Sequence, residues 1–256
     1  MASGIVCELT ETIRLGKESV EAVVVRLAPE SGSSRTAWDS LSKQERERAD
    51  RYRRDRDRTV FVLARARLRE LIAERLSIRP NEVEFRFGMN GKPSLTPEFA
   101  AGDLRFNVSH SGDVVAYAFS IGKEIGIDIE AVRDFPDADR VAMHAFSECE
   151  RRSYYSLDRE KRAVGFFNCW TRKEAFVKAL GLGLSCSPDR FDVSLEPEEP
   201  AEILRLDELP GHRCGWRIEA GPKIDGFATA IVIESGIGRR KEAPPRHSAA
   251  AGVQAP

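Results

Sequence analysis

The apolar positions of this chain fall into short β-like runs and two long helical stripes. Glu21–Ala28 (EAVVVRLA) carries Val23, Val24 and Val25 at its centre and predicts a buried strand. Residues 1–20 before it are weakly patterned, and Ser31–Ser34 predict a loop. Ser42 followed by Glu45 has the form of a capping box, which predicts a helix start there. A second helix is expected from about Asp57 to Leu76, with Phe61, Ala64, Leu68, Leu71 and Ile72 on one stripe. Val83–Phe87, Leu104–Ser109, Val114–Ser120 and Ile125–Glu130 predict strands. Asn90-Gly91 marks a tight turn between the first two of these. Further on, Phe167–Leu184 predicts one amphipathic helix, and Phe191–Leu195, Trp216–Ala220 and Phe227–Glu234 predict late strands.

The second half echoes the first. Ser147 and Glu150 repeat the spacing of Ser42 and Glu45, and a long helix follows each pair, opening on Phe61 and Phe167. The expected organisation is α+β, in two similar halves: residues 1–122, and residues 123–235 carrying the chemistry. A site built from both would lie at their interface. Residues 236–256 are rich in Gly, Ala and Pro and are expected to be a disordered tail whose removal leaves activity in place.

Composition narrows the setting. The chain has 256 residues, 41% of them apolar, enough for one large domain or two small ones. The net charge of -1 gives no whole-molecule attraction for nucleic acid, so local charge must decide. Eight basic residues lie between Lys43 and Arg58, but five acidic ones interleave with them. That pattern suits a helix face laced with ion pairs, with one or two arginines reaching a phosphate. Five cysteines with no CxxC pair imply neither a disulfide framework nor a zinc knuckle. No run approaches a membrane span and no secretory pattern opens the chain, so a cytoplasmic setting is expected.

Candidate chemistry gathers in four places. Asp128 and Glu130 alternate on one strand and so point the same way. Glu174 and Lys178 are one helical turn apart. Three carboxylates and one ammonium suit a magnesium ion holding a phosphate ester. A polar strand end and a plain Glu–Lys pair account for the same spacings equally well. Lys92 sits between the Asn-Gly turn and Pro93, which should place it rigidly; an ordinary exposed turn lysine is the alternative. His110, between Ser109 and Ser111, could donate to a phosphate, stack on a base, or simply close a turn. Adjacent Ser and His on a strand face opposite ways, and no GxSxG is present, which discounts a hydrolase.

Together, Gly91-Lys92-Pro93, Asn107-Val108-Ser109-His110-Ser111, Gly126-Ile127-Asp128-Ile129-Glu130 and Trp170 to Lys178 resemble the 4′-phosphopantetheinyl transferase superfamily. The likeness is to its pseudodimeric, surfactin-synthetase-activator branch and covers roughly residues 40 to 195. It implies a monomer with the active site between its halves. Such an enzyme moves the phosphopantetheine arm of coenzyme A onto a serine of an apo acyl or peptidyl carrier protein and releases adenosine 3′,5′-bisphosphate. By that resemblance Asp128, Glu130 and Glu174 hold Mg²⁺ on the coenzyme A pyrophosphate. Glu174 also helps deprotonate the serine, and Lys178 neutralises phosphate charge. Ser109, His110 and Lys92 hold the adenosine phosphates, with Arg51 and Arg56 as helpers. Neither a nucleic-acid nor a membrane partner is implied. The alternatives are a basic-helix nucleic-acid binder and another metal-dependent nucleotide phosphotransferase; the missing GxxxxGK[ST] loop counts against the common form of the latter.

Overall fold

A computed structural model of the chain describes residues 4–15, 17–31, 35–88, 91–181, 183, 187–206 and 215–235. Expectations for Asn90, for the end of the Phe167–Leu184 helix and for the 236–256 tail lie wholly or partly outside those residues.

The chain opens with an antiparallel hairpin, β1 (Ile5–Leu15) and β2 (Glu18–Leu27). Three helices follow: α1 (Arg35–Ser40), α2 (Lys43–Ala49) and the long α3 (Asp55–Leu76). Two short strands, β3 (Phe85–Phe87) and β4 (Pro93–Leu95), lead to the hairpin β5 (Leu104–Ser111) and β6 (Val114–Ile121). The first sheet has the order β1-β2-β6-β5. Next come β7 (Ile125–Ala131), α4 (Ala138–Ala145), α5 (Glu148–Ser156) and α6 (Arg159–Leu180). The chain ends in β8 (Phe191–Val193), β9 (Ile203–Leu206), β10 (Trp216–Ala220) and β11 (Phe227–Glu234), and the second large sheet is β10-β11-β7.

Alternation along the strands builds the layers. In β2 and β6, Val23, Val25, Val115, Tyr117 and Phe119 face one way, into a core shared with Leu63, Leu68 and Ile72 of α3. Val20, Ala22, Val24, Ala116 and Ala118 face the other way. There they meet Ile125, Ile127, Ile129, Ile231 and Ile233 from the second sheet. Ala228, Ala230 and Val232 of β11 cover α6 through Ala175, Phe176 and Ala179. The molecule is thus layered as α3, sheet, sheet, α6, with a dry aliphatic core where the two sheets face each other.

The repeat expected from the capping boxes extends into tertiary structure. Both boxes form as reciprocal hydrogen bonds, Ser42 with Glu45 and Ser147 with Glu150. In the first half Arg69 pairs with Glu45 at 2.7 Å and donates to the carbonyls of Pro80 and Val83. In the second half Lys173 pairs with Glu150 at 2.7 Å and donates to the carbonyls of Pro188 and Phe191. The order β2-β6-β5 is matched by β7-β11-β10.

The structure adds strands and α-helices that the pattern does not predict, namely β1, α1, β4, α4 and β9. It also moves both ends of the last long helix. α6 begins at Arg159 rather than Phe167, and Gly181, in the left-handed region at φ 68°, closes it by donating to Val177 O.

Candidate active site at the β5–β7 seam

The candidate side chains converge where the edge strand of each sheet meets the other. Gly126, Asp128 and Glu130 share one face of β7, opposite Ile125, Ile127 and Ile129 in the core. That face lies on α6 at very short range. A methyl group on Gly126 would stand 2.0 Å from Ala175 O and 2.5 Å from Ala179 N. The missing side chain therefore lets the strand sit against the helix backbone. Glu174 and Lys178 flank Ala175 and Ala179, so the same close approach delivers them to Asp128.

The centre of the cluster is a three-way contact. The Lys178 ammonium donates to Asp128 Oδ1 at 2.5 Å and to Ser109 Oγ at 2.8 Å. Ser109 Oγ donates to the same Asp128 oxygen at 2.6 Å. Asp128 is buried, and its second oxygen, Oδ2, is buried without a hydrogen-bond partner among the described residues. Glu130 stands beside it, with Oε2 accepting from Ser111 Oγ at 2.7 Å. Burial raises the Glu130 pKa, as does the Asp128 charge, while the Ser111 hydroxyl and Lys178 pull it back. Glu174 is raised too, by burial first and then by Asp128 and Glu130, against the pull of Lys178. The Asp128 charge thus reaches both glutamates, and the Glu130 charge reaches Glu174.

They do not form a ready metal cage. Among the described residues no three carboxylate, histidine or thiol groups stand close enough to hold an ion. Like charges keep apart unless a cation comes between them, and the cation seated on Asp128 here is Lys178.

The other candidates divide. Ser109 belongs to the cluster, whereas His110, the next residue, points outward and is exposed, as alternation requires. Lys92 is held elsewhere. Its ammonium donates to Glu124 Oε2, Ile125 O and Ala179 O, each at 3.2 Å, and burial lowers its pKa. It clasps the residue before β4 to the start of β7 and the end of α6. A cavity of about 290 Å³ opens there, lined by Arg86, Lys92, Arg105 and Glu124. Another of about 280 Å³ lies beyond the far end of β7, between Arg133, Phe135, Tyr154, Arg162 and Phe167. Neither is lined by Asp128, Glu130 or Glu174.

Arg51 and Arg56 are exposed around the α2–α3 junction, and no hydrogen bond or ion pair joins either to the cluster. Arg51 donates to Glu47 O, while nearby Arg58 pairs with Asp50 at 2.8 Å and lies over Trp38. These contacts match the ion-paired helix face that the interleaved charges suggested.

Three contributors carry no role in the sequence reading: Gly126, Asn107 and Ser111. A glycine within a strand is a recognised sign of close backbone approach. The polar alternation of Asn107, Ser109 and Ser111 would have marked the second face of β5.

Comparison with known proteins adds an independent finding. Residues 124–232 match the profile described as the 4′-phosphopantetheinyl transferase superfamily. Residues 27–121 match the one described as 4′-phosphopantetheinyl transferase, N-terminal. The 4′-phosphopantetheinyl transferase HetI of Nostoc sp. is 35% identical over 181 residues, 68% of this chain and 76% of the relative. The 4′-phosphopantetheinyl transferase Sfp of Bacillus subtilis is 31% identical over 191 residues, 75% of this chain and 81% of the relative. A phosphopantetheinyl transferase of Thraustochytrium sp. is 29% identical over 233 residues, 84% of this chain and 79% of the relative.

Proposed function

The chain belongs to the 4′-phosphopantetheinyl transferase superfamily, and from that premise we propose that it transfers the phosphopantetheine arm of coenzyme A to a serine of an apo carrier protein, with Mg²⁺. The observation that carries the placement of this chemistry is the Asp128 cluster on the β5–β7 seam: a buried carboxylate, held by Lys178 and Ser109, with one oxygen lacking a donor.

The residues fit a divalent cation. Asp128 Oδ2 is a buried oxygen with no hydrogen-bond donor among the described residues, and the Asp128 charge raises the pKa of both Glu130 and Glu174. Asp128, Glu130 and Glu174 would hold the ion, with coenzyme A phosphate oxygens completing its shell. Bound there, magnesium would supply charge neutralisation at the pyrophosphate.

The chain's own groups then divide the work. In the transfer, the carrier serine oxygen bonds to the phosphorus that bears the pantetheine arm. The phosphoanhydride bond breaks, and adenosine 3′,5′-bisphosphate leaves with the electron pair. Glu174 takes the serine proton, directly or through a water. Lys178, already anchored on Asp128 and Ser109, holds positive charge where the phosphate must lie. Exposed His110 is placed to meet a coenzyme A phosphate from the solvent side.

Lys92 is assigned a different part. Its three bonds to Glu124, Ile125 and Ala179 favour holding β7 and α6 in register. Arg51 and Arg56 are left out of the ligand set.

Two halves meeting near residue 122 are supported by the matched sheets and capping boxes and by the separate profiles for 27–121 and 124–232. We place the enzyme in the cytoplasm as a monomer. No helix among the described residues is long and apolar enough to cross a membrane. The ion pairs along α2 and into α3 argue against a nucleic-acid contact there.

The test is to incubate the protein with coenzyme A and apo carriers of the fatty-acid, polyketide and nonribosomal-peptide classes, with Mg²⁺ or with a chelator. Intact-mass spectra should show one phosphopantetheine added to at least one carrier, and only with the metal. Unmodified carriers of all three classes would contradict the reading.

A further inference from the structure

We propose that Ser111 is a positioning residue that aims the Glu130 carboxylate into the Asp128 cluster; this rests on the transfer site proposed above. β5 pairs through its backbone with β6, and β7 with β11. Across the seam between β5 and β7, side chains make the bonds. Asn107 Oδ1 accepts from Ile127 N at 3.0 Å. Ser109 Oγ donates to Asp128 Oδ1. Ser111 Oγ donates to Glu130 Oε2 at 2.7 Å and accepts from Ala131 N at 3.1 Å. From Asn107 to Ser111 every second residue of β5 therefore grips β7, as one face of a strand permits.

The two bonds at Ser111 differ from those at Asn107 in what they control. The bond from Ala131 N occupies the acceptor side of the hydroxyl and so fixes where its proton points. That proton lands on one oxygen of Glu130 and holds a long, flexible side chain in one orientation, leaving Oε1 for the cluster. Asn107 touches only backbone and orders the strand. Ser111 orders the strand and also selects the carboxylate's direction. A partner that orients a candidate metal ligand in this way is worth about tenfold or more in metal affinity or activity.

The experiment uses the full chain with Ser111→Ala, Ser111→Thr, Glu130→Ala and the Ser111→Ala/Glu130→Ala pair. Carrier modification is followed across a Mg²⁺ titration. Mg²⁺ binding in the presence of coenzyme A is measured by calorimetry, and thermal melts report folding. Ser111→Ala should raise both the Mg²⁺ midpoint of activity and the calorimetric Kd by about tenfold, with the KM for carrier unchanged. Ser111→Thr, which keeps the hydroxyl, should restore most of both. In the Glu130→Ala background, Ser111→Ala should change little further, because the serine acts through that carboxylate.

A Ser111→Ala protein with the wild-type Mg²⁺ midpoint and Kd overturns the proposal, even if it melts earlier. Additive losses in the double variant overturn it too. A wild-type protein that transfers nothing, or that transfers equally well in chelator, overturns the underlying site reading instead, and that arm is read first.

Discussion

At Gly126 the absence of a single methyl group sets the distance between the strand that carries Asp128 and the helix that carries Lys178. The neighbouring atoms are backbone, Ala175 O and Ala179 N, so no side chain can swing aside to make room. Gly126→Ala should force β7 off α6 and cost about 3 kcal/mol of stability by overpacking, read from urea unfolding. Activity should fall further than stability alone predicts, because the 2.5 Å Lys178–Asp128 contact depends on that approach. A variant with wild-type unfolding and turnover would show that the strand and helix have slack.

At this scale much was readable. The alternation of Asp128 and Glu130 and the one-turn spacing of Glu174 and Lys178 put each pair on one face of its element, as the structure has them. The partners of Lys92 were not readable. Two of them are backbone carbonyls, Ile125 O and Ala179 O, brought together only by the fold. A lysine beside a tight turn carries no mark of that in its neighbours. The seating of Lys178 on Asp128, in place of a carboxylate cage, was equally invisible from spacing.

Among the elements, α6 depends on the short strand β8 for its seat. Lys173 donates to Phe191 O, and Val193 N donates to Glu150 Oε1, the partner carboxylate of Lys173. Breaking such a buried pair is costly, since the remaining charge has no partner. β8 is itself held by Arg205 of β9, whose guanidinium makes two bonds to Asp192.

Burial pulls the Asp192 pKa up, but the bonds from Arg205 and Ser147 prevail and hold it below its ordinary value. A carboxylate lowered on folding stabilises the native state above its unfolded pKa, and that contribution is lost as pH falls through the lowered folded value. Arg205→Gln should therefore cost about 1 kcal/mol at neutral pH, a modest figure because the arginine is partly exposed. The gap between variant and wild type should close in acid, below the ordinary aspartate pKa of about 3.9. Denaturant melts at a series of pH values measure this, and a gap that widens in acid would contradict the assignment.

The legibility of elements followed their burial. β2, β6 and β11 were predicted because both their faces enter a core, and β7 because Ile125, Ile127 and Ile129 alternate into one. β1 was missed because most of its residues are exposed, so that pairing with β2, and not an apolar face, holds it. The same weak patterning hid β9.

The whole molecule explains why one cluster draws on two halves. The aliphatic layer between the sheets includes Val24, Ala116, Ile127 and Ile231, and so fixes one half against the other. At the rim of that layer the edge strands β5 and β7 bring Ser109 and Ser111 to Asp128 and Glu130. The repeated capping boxes made the matched contacts of Glu45 and Glu150 readable, because each box marks a buried acid. Each strand of the polar seam shows its own alternation, but the pairing of β5 with β7 was not readable, since its bonds join residues about twenty apart.

The central claim is that phosphopantetheine transfer takes place at Asp128. The most direct measurement compares wild type and Asp128→Ala by intact-mass analysis of an apo carrier with coenzyme A and Mg²⁺, with thermal melting as the check on folding. A folded Asp128→Ala protein that leaves the carrier unmodified under conditions where wild type converts it is the expected result. Conversion by the variant at the wild-type rate would contradict the account.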